Sequence, residues 1–464
     1  MATMKADLST GSIGKWMVKL AVPSIVAQLI NALYNVVDRI YIGHMGADGS
    51  LALTGVGLCF PILMVISAFS AFVGMGGGPR ASIAMGQKNM EGAERILSNC
   101  FTLLLGISIV LTAVLLPLRE PLLLSFGASQ DTLPYAESYL AIYLCGTVFV
   151  QMSLGMNTFI TVQGRATISM LTVLIGAVIN IGLDPLFIYT FGMGVQGAAL
   201  ATVISQAVSC AWVLQILFGR RSSLRIRPAY LRPQWKILAP VMALGLSPFI
   251  MQATESAINV VFNTQLQAYG GDPAVGAMTI CSSILQMMFL PMQGLAQGAQ
   301  PIISFNYGAR KPERVRRTFM MLLVWEIFFY VLLFLACQLM PNVLVSLFND
   351  NPAFTEHAVW ALRIYMAGCI MMAVQGSCQQ TFVALGESKI SLFFALLRKV
   401  ILLIPLAYLF PLIFTQDPEF GIFLAEPVAD ITCATIVGIT FFFRFPKLMQ
   451  AISVKDNSSS EKGA

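Results

Sequence analysis

Runs of mostly apolar residues, each closed by charges or turn residues, recur along the whole chain and begin near residues 16, 51, 96, 134, 169, 195, 238, 276, 318, 355, 393 and 421. A helix rises about 1.5 Å per residue, so a run of roughly 20 crosses the ~30 Å hydrocarbon core of a bilayer. Strands of a membrane barrel would instead show runs of about ten residues alternating apolar and polar. The pattern predicts an all-α integral membrane protein with twelve transmembrane helices.

The first run is interrupted in a regular way. Gln28, Asn31, Asn35 and Asp38 fall at intervals of 3, 4 and 3 and form one polar stripe on a helix. A carboxyl group in hydrocarbon is costly, so the stripe is expected to face a cavity and serve a function. In the fifth run, NIGLDPLFI, Asn180 and Asp184 are four apart and share a helix face, followed by Pro185. Counted along their helices, Asp38 lies about 35 Å from Lys15 and Asp184 about 29 Å from Arg165, so both belong to the outer half. With Asn35, Asn180 and Thr202 they make a candidate site for a proton or a monovalent cation.

The pattern also repeats. Gly74 to Asn89, GMGGGPRASIAMGQKN, aligns without gaps on Ala296 to Lys311, AQGAQPIISFNYGARK, at an offset of 222. LAVPSIVAQLINALYNVV from Leu20 aligns on LGLSPFIMQATESAINVV from Leu244 at an offset of 224. Six runs per copy return the chain to its starting side, so the repeats are parallel and related by an axis along the membrane normal. The division is an N-lobe at 1–220, a basic linker at 221–236, a C-lobe at 237–447 and a tail at 448–464.

The second copy carries different acids. Asp38 aligns with Phe262, while Glu255 stands on Asn31 within a stripe of Gln252, Glu255 and Asn259. Glu426 and Asp430 align with Thr202 and Gln206. These five C-lobe residues are a candidate substrate or ion site. Arg398 and Lys399 either neutralise its acids or snorkel to the cytoplasmic surface. Glu326 has no polar residue at helical spacing and is expected at the lipid interface or locally paired. Asp48 and Asp272 read as outer turn residues, and the methionines, Met287, Met288 and Met292 among them, as gap-filling side chains between helices.

Composition agrees: 57% of the 464 residues are hydrophobic and 11% charged, against roughly a quarter charged in soluble domains. With both termini cytoplasmic, all of the 28 Lys and Arg except Arg39, Arg119 and Arg363 fall at cytoplasmic ends. Orientation thus explains the net charge of +6, and no nucleic-acid partner is implied. The nine cysteines lie in apolar runs without a CxxC pair and read as packing residues. His44 and His357 are isolated, near outer ends, and no metal site is expected beyond Na⁺ at Asp38, Asn180 and Asp184. No cleaved signal peptide, P-loop or HExxH motif is present, so neither direct ATP drive nor an enzyme is expected.

VVDRIYIG, NIGLDPLFI, LLSFGAS followed by LPYAESYL, and QGAQPIISFNYGARKPERVRR resemble the multidrug and toxic compound extrusion (MATE) family, in its bacterial MepA-like branch. The resemblance runs from Gly14 to Lys447. It implies two six-helix lobes forming a V around a central cavity, and a secondary antiporter exporting cationic or amphipathic compounds in exchange for H⁺ or Na⁺. Asp38, Asn180, Asp184 and Thr202 fall on the family's N-lobe ion site, and Glu255 on an acidic position of the seventh helix. The tenth-helix aspartate that accompanies such an acid is replaced here by Gln375, Gln379 and Gln380. A flippase for a lipid-linked saccharide is the alternative. The chain is expected to work without a cofactor, as a monomer, in the bacterial cytoplasmic membrane.

Overall fold

The computed structural model describes residues 7–46, 49–220, 222–348 and 352–460. Asp48 and the side chain of Met288 lie outside what is described. All regular structure among the described residues is helical. The N-lobe comprises α1 (Ile13–Gly43), α2 (Gly49–Gly86), α3 (Met90–Ser125), α4 (Leu133–Cys145), α5 (Thr147–Val162), α6 (Ala166–Pro185) and α7 (Gly194–Phe218). The C-lobe comprises α8 (Trp235–Gly308), α9 (Pro312–Leu339), α10 (Pro341–Ser346), α11 (Pro352–Tyr365), α12 (Cys369–Ala384), α13 (Ser388–Leu396), α14 (Ile404–Ile413) and α15 (Pro418–Ser460).

These helices account for the twelve apolar runs. The pairs α4/α5 and α11/α12 are single spans bent by 58° and 43°. At 74 residues, α8 would reach about 111 Å if straight, far more than one crossing. It turns back at Gly271, whose φ of 66° and ψ of −162° lie in a region open essentially to glycine, and Asp272 occupies this turn as expected. The fifth and eleventh spans contain π-helical stretches, Leu186–Thr190 and Leu397–Leu403.

The duplication is visible in the backbone. Lys88 and Arg310, 222 apart, both take left-handed φ, 62° and 56°. The breaks at Gly146 and Gly368 are 222 apart, and a Cβ there would stand 2.4 Å from Val203 Cγ2 or 2.7 Å from Pro427 Cα, partners themselves 224 apart. The same close approach therefore bends the same span in each lobe.

The V arises from how the apolar cores are shared. Two cores belong each to one lobe: Ile42, Ile62, Leu140 and Ile188 in the first, Phe262, Leu362, Leu403 and Phe423 in the second. The other two are joint. Leu8, Met17 and Leu20 pack with Ile302, Phe319 and Phe441, and Val241 joins Val73, Leu97 and Phe159. The joint cores lie at the end carrying the basic loops, so the lobes fuse there and separate toward the other end.

Each lobe also grips the segment leading into the other. Asn99 donates to Tyr230 O (3.1 Å), Thr102 to Leu231 O (2.7 Å), and Glu94 pairs with Arg227. Reciprocally, Arg314 donates to Gly11 O (2.8 Å) and Leu8 O (3.1 Å), and Lys311 to Ser9 O (2.8 Å). At Asp7, the hydrogen bonds from Ser9 hold the carboxyl below the ordinary aspartate range.

Of the cysteines, Cys145 departs from the packing expectation and is exposed where α4 ends at the Gly146 break; the others are buried. His357 is partly exposed and lies 2.8 Å from Glu419 and against Trp360.

Candidate functional site

In the N-lobe, α1 packs on α6 and α6 on α7, which brings Asp38, Asn180, Asp184 and Thr202 together, all buried. Asn180 Nδ2 donates to Asp184 Oδ1 (3.2 Å) and to Thr202 Oγ1 (3.4 Å). Asp38 is near enough for its charge to act on Asp184. No ion pair is formed by either carboxylate among the described residues. Asp38 Oδ1, Asp184 Oδ2 and Asn180 Oδ1 are buried and receive no hydrogen bond from the described residues. Three orphaned acceptor oxygens, two of them on carboxyl groups, are thus left together inside the lobe, which buried polar groups seldom are.

Asn35 does not join them. It is exposed and donates to Asn31 O on its own helix (2.6 Å). Gln28 also leaves the stripe's expected role and donates across the lobes to Gln297 (3.1 Å). Asn31 lines a polar cleft with Asn157, Thr172, Ser205, Gln206 and Ser209, one helical turn from Asn180 and Thr202. Its free volume of about 20 Å³ suits one water-sized occupant, far below the ~300 Å³ that a drug needs.

The C-lobe is built differently. Arg398 Nε donates to Asp430 Oδ1 and its Nη2 to Glu426 Oε1, both at 2.7 Å, with the two acids buried and the Arg398 side chain 11% exposed. Lys399 pairs with Glu255 and donates to Met251 O (3.0 Å). The snorkelling alternative is thereby corrected: these cations point inward, held by the π-helical turn that carries them. Gln252 is half-buried with an orphaned Oε1, and Asn259 is exposed and apart from the ion pairs.

Removing one partner of a buried ion pair strands the other, at about 3–5 kcal/mol. Arg398→Ala is therefore expected to destabilise the C-lobe by about that amount, checked by thermal unfolding in detergent, whereas the charge-conserving Arg398→Lys loses less.

Of the two placements expected for Glu326, lipid interface or pairing, the structure has the pairing. Glu326 is buried, not lipid-facing, and accepts a hydrogen bond from Ser377 Oγ (2.7 Å) on α12. The partner lies 51 positions away on another helix, so helical spacing carried no signal of it. Gly376 makes room, since a Cβ there would stand 3.1 Å from Glu326 Oε2.

Two parallel six-span bundles, fused at one end and holding carboxylates deep inside apolar helices, define a polytopic membrane transporter. The chain belongs to the MatE family, whose model matches residues 23–186 and 248–409, once in each lobe. It is 24% identical over 426 residues to the multidrug export protein MepA of Staphylococcus haemolyticus, covering 91% of this chain and 92% of that one. The MepA of Staphylococcus aureus strain N315 is 24% identical over 410 residues, covering 88% of each. Among solved structures, a MATE in the bent conformation superposes with a TM-score of 0.91 at 24% identity, covering 98% of this chain and 100% of that one. An outward-facing multidrug resistance MATE transporter superposes with a TM-score of 0.89 at 25% identity, covering 97% and 99%. The V-shaped MATE fold follows.

Proposed function

We propose that the protein is a secondary active antiporter that exports cationic or amphipathic drugs from a bacterial cell in exchange for H⁺ or Na⁺. The observation that carries this reading is the set of orphaned oxygens on Asp38, Asp184 and Asn180, with no basic side chain paired to them among the described residues. A buried pair of carboxylates repels itself, and one added positive charge relieves that repulsion. Ion binding then favours whichever lobe arrangement encloses the site best, and the drug the arrangement that exposes its own site. The naming of MepA as a multidrug export protein in the relatives supports the cargo class, and the preponderance of acids over bases inside both lobes supports a cationic one.

Both termini are assigned to the cytoplasm by the basic loops, and the basic end where the lobes fuse is then the closed cytoplasmic end. The test is efflux of a cationic dye from proteoliposomes holding the native chain, with pH and Na⁺ gradients imposed separately. Efflux driven by at least one gradient is expected. A folded protein that moves no cationic dye under either gradient overturns the assignment.

A further inference from the structure

The two lobes treat the same interior position in opposite ways. Gly164 and Gly386, both left-handed with φ of 77° and 81°, open the fifth and eleventh spans 222 positions apart. Counted from them, Gly176 and Ala177, which line the polar cleft of the N-lobe, correspond to Arg398 and Lys399. Asn31 and Gln206, on the same cleft, correspond to Glu255 and Asp430. What is a cleft in the N-lobe is filled in the C-lobe by two of the chain's own cations, seated on its acids.

The two cations are not equally held. Arg398 is clamped by Glu426 and Asp430 and has no carboxylate left to exchange. Lys399 has one acid, and that acid faces open space: the Glu255 side chain is 59% exposed while that of Lys399 is 7% exposed. The lysine thus approaches from inside the lobe and leaves the outer face of the carboxylate free. Its ammonium also donates to Met251 O (3.0 Å), so it keeps an acceptor when Glu255 is taken from it. With Glu255, Glu426 and Asp430 set against Arg398 and Lys399, the fully ionised cluster has one negative charge in excess.

We infer that Glu255 is the anchor for the charge of an organic cation and that Lys399 is its resident counter-cation, displaced when substrate binds and returning to expel it. This deepens the proposed export of cations and rests on it. A tethered competitor lowers affinity for the bound cation and speeds its release, because the lysine needs no diffusion to return. The exchange also gives specificity: a neutral molecule of the same shape cannot take over the carboxylate from the ammonium.

Ethidium binding to the purified full chain, read by fluorescence, tests this. Lys399→Met is expected to tighten binding about tenfold or more and to slow dye efflux at saturating dye. The gain is expected to vanish in the double variant Lys399→Met with Glu255→Gln. Lys399→Gln serves as a second variant with a less apolar side chain, and a melting curve reports folding of each. Unchanged or weakened ethidium binding in a folded Lys399→Met or Lys399→Gln protein overturns the inference. So does binding of an anionic dye by the native chain that Lys399→Met abolishes, which would give the lysine to an acidic headgroup. A native chain that neither binds nor exports any cation instead removes the export reading itself, so the two failures are distinguishable.

Discussion

Asp38→Asn is expected to reduce gradient-driven efflux to the level of empty liposomes while leaving the protein folded. The reason lies in what Asp38 does not do. Its buried Oδ1 receives no hydrogen bond from the described residues, so an asparagine of the same size breaks no hydrogen bond of that atom. What is lost is the exchangeable charge, and with it the difference in ion affinity between lobe arrangements that coupling requires. The substitution also ends the repulsion between Asp38 and Asp184, so the melting temperature is expected to hold or rise. A packing role would have the opposite signature, a fall in melting temperature with coupling retained. Asn35→Ala serves as the control: its side chain is exposed and bonded only to its own helix, and efflux is expected to stay within about twofold of native, within the ±0.5 kcal/mol usual for such sites.

The grouping of Asp38, Asn180 and Asp184 is legible in the sequence, because acids within apolar spans are few and helical spacing ties Asn180 to Asp184. Asn35 was over-assigned because a stripe read at ideal spacing ignores which neighbour each position meets, and α6 lies against only part of that stripe. The sequence leaves two fates open for Arg398 and Lys399, for a related reason. A basic residue seven or eight positions into a span can reach either the surface or the interior, and the local winding of Leu397–Leu403 into a π-helix decides between them. The repeat was legible in its landmark motifs, whereas the equivalence of Gly176 and Ala177 with Arg398 and Lys399 needed the paired left-handed glycines as a common origin. Pairs formed between distant helices, Glu326 with Ser377 and Gln28 with Gln297, left no local trace at all.

The seam between the lobes supplies the second large effect. Its glycines come from the repeated motif, and they bring backbone against backbone. A Cβ at Gly245 would stand 1.8 Å from Phe72 O, one at Gly76 2.3 Å from Val241 O, and one at Gly298 2.5 Å from Ala21 Cα. At the extreme end Gly86 and Gly308 are reciprocal, with a Cβ 2.1 Å from Phe305 O and 2.0 Å from Ile83 O respectively. Carbonyl oxygens of packed helices cannot turn aside as a side chain can, so a single methyl group has to push the lobes apart. Overpacking of this kind costs about 1–3 kcal/mol, and that cost falls only on the arrangement in which the seam is closed. Gly245→Ala is therefore expected to shift the balance roughly 5- to 150-fold toward an arrangement open at the basic end. Distances between spin labels on the basic loops of the two lobes would report the shift as a longer population, accompanied by slower efflux. Gly106→Ala and Gly182→Ala, where a Cβ meets no atom within 4 Å, are expected to leave the distances unchanged. Unaltered distances in a folded Gly245→Ala protein would mean that the seam is not the moving contact, and that the lobes change their relation by bending within their helices instead.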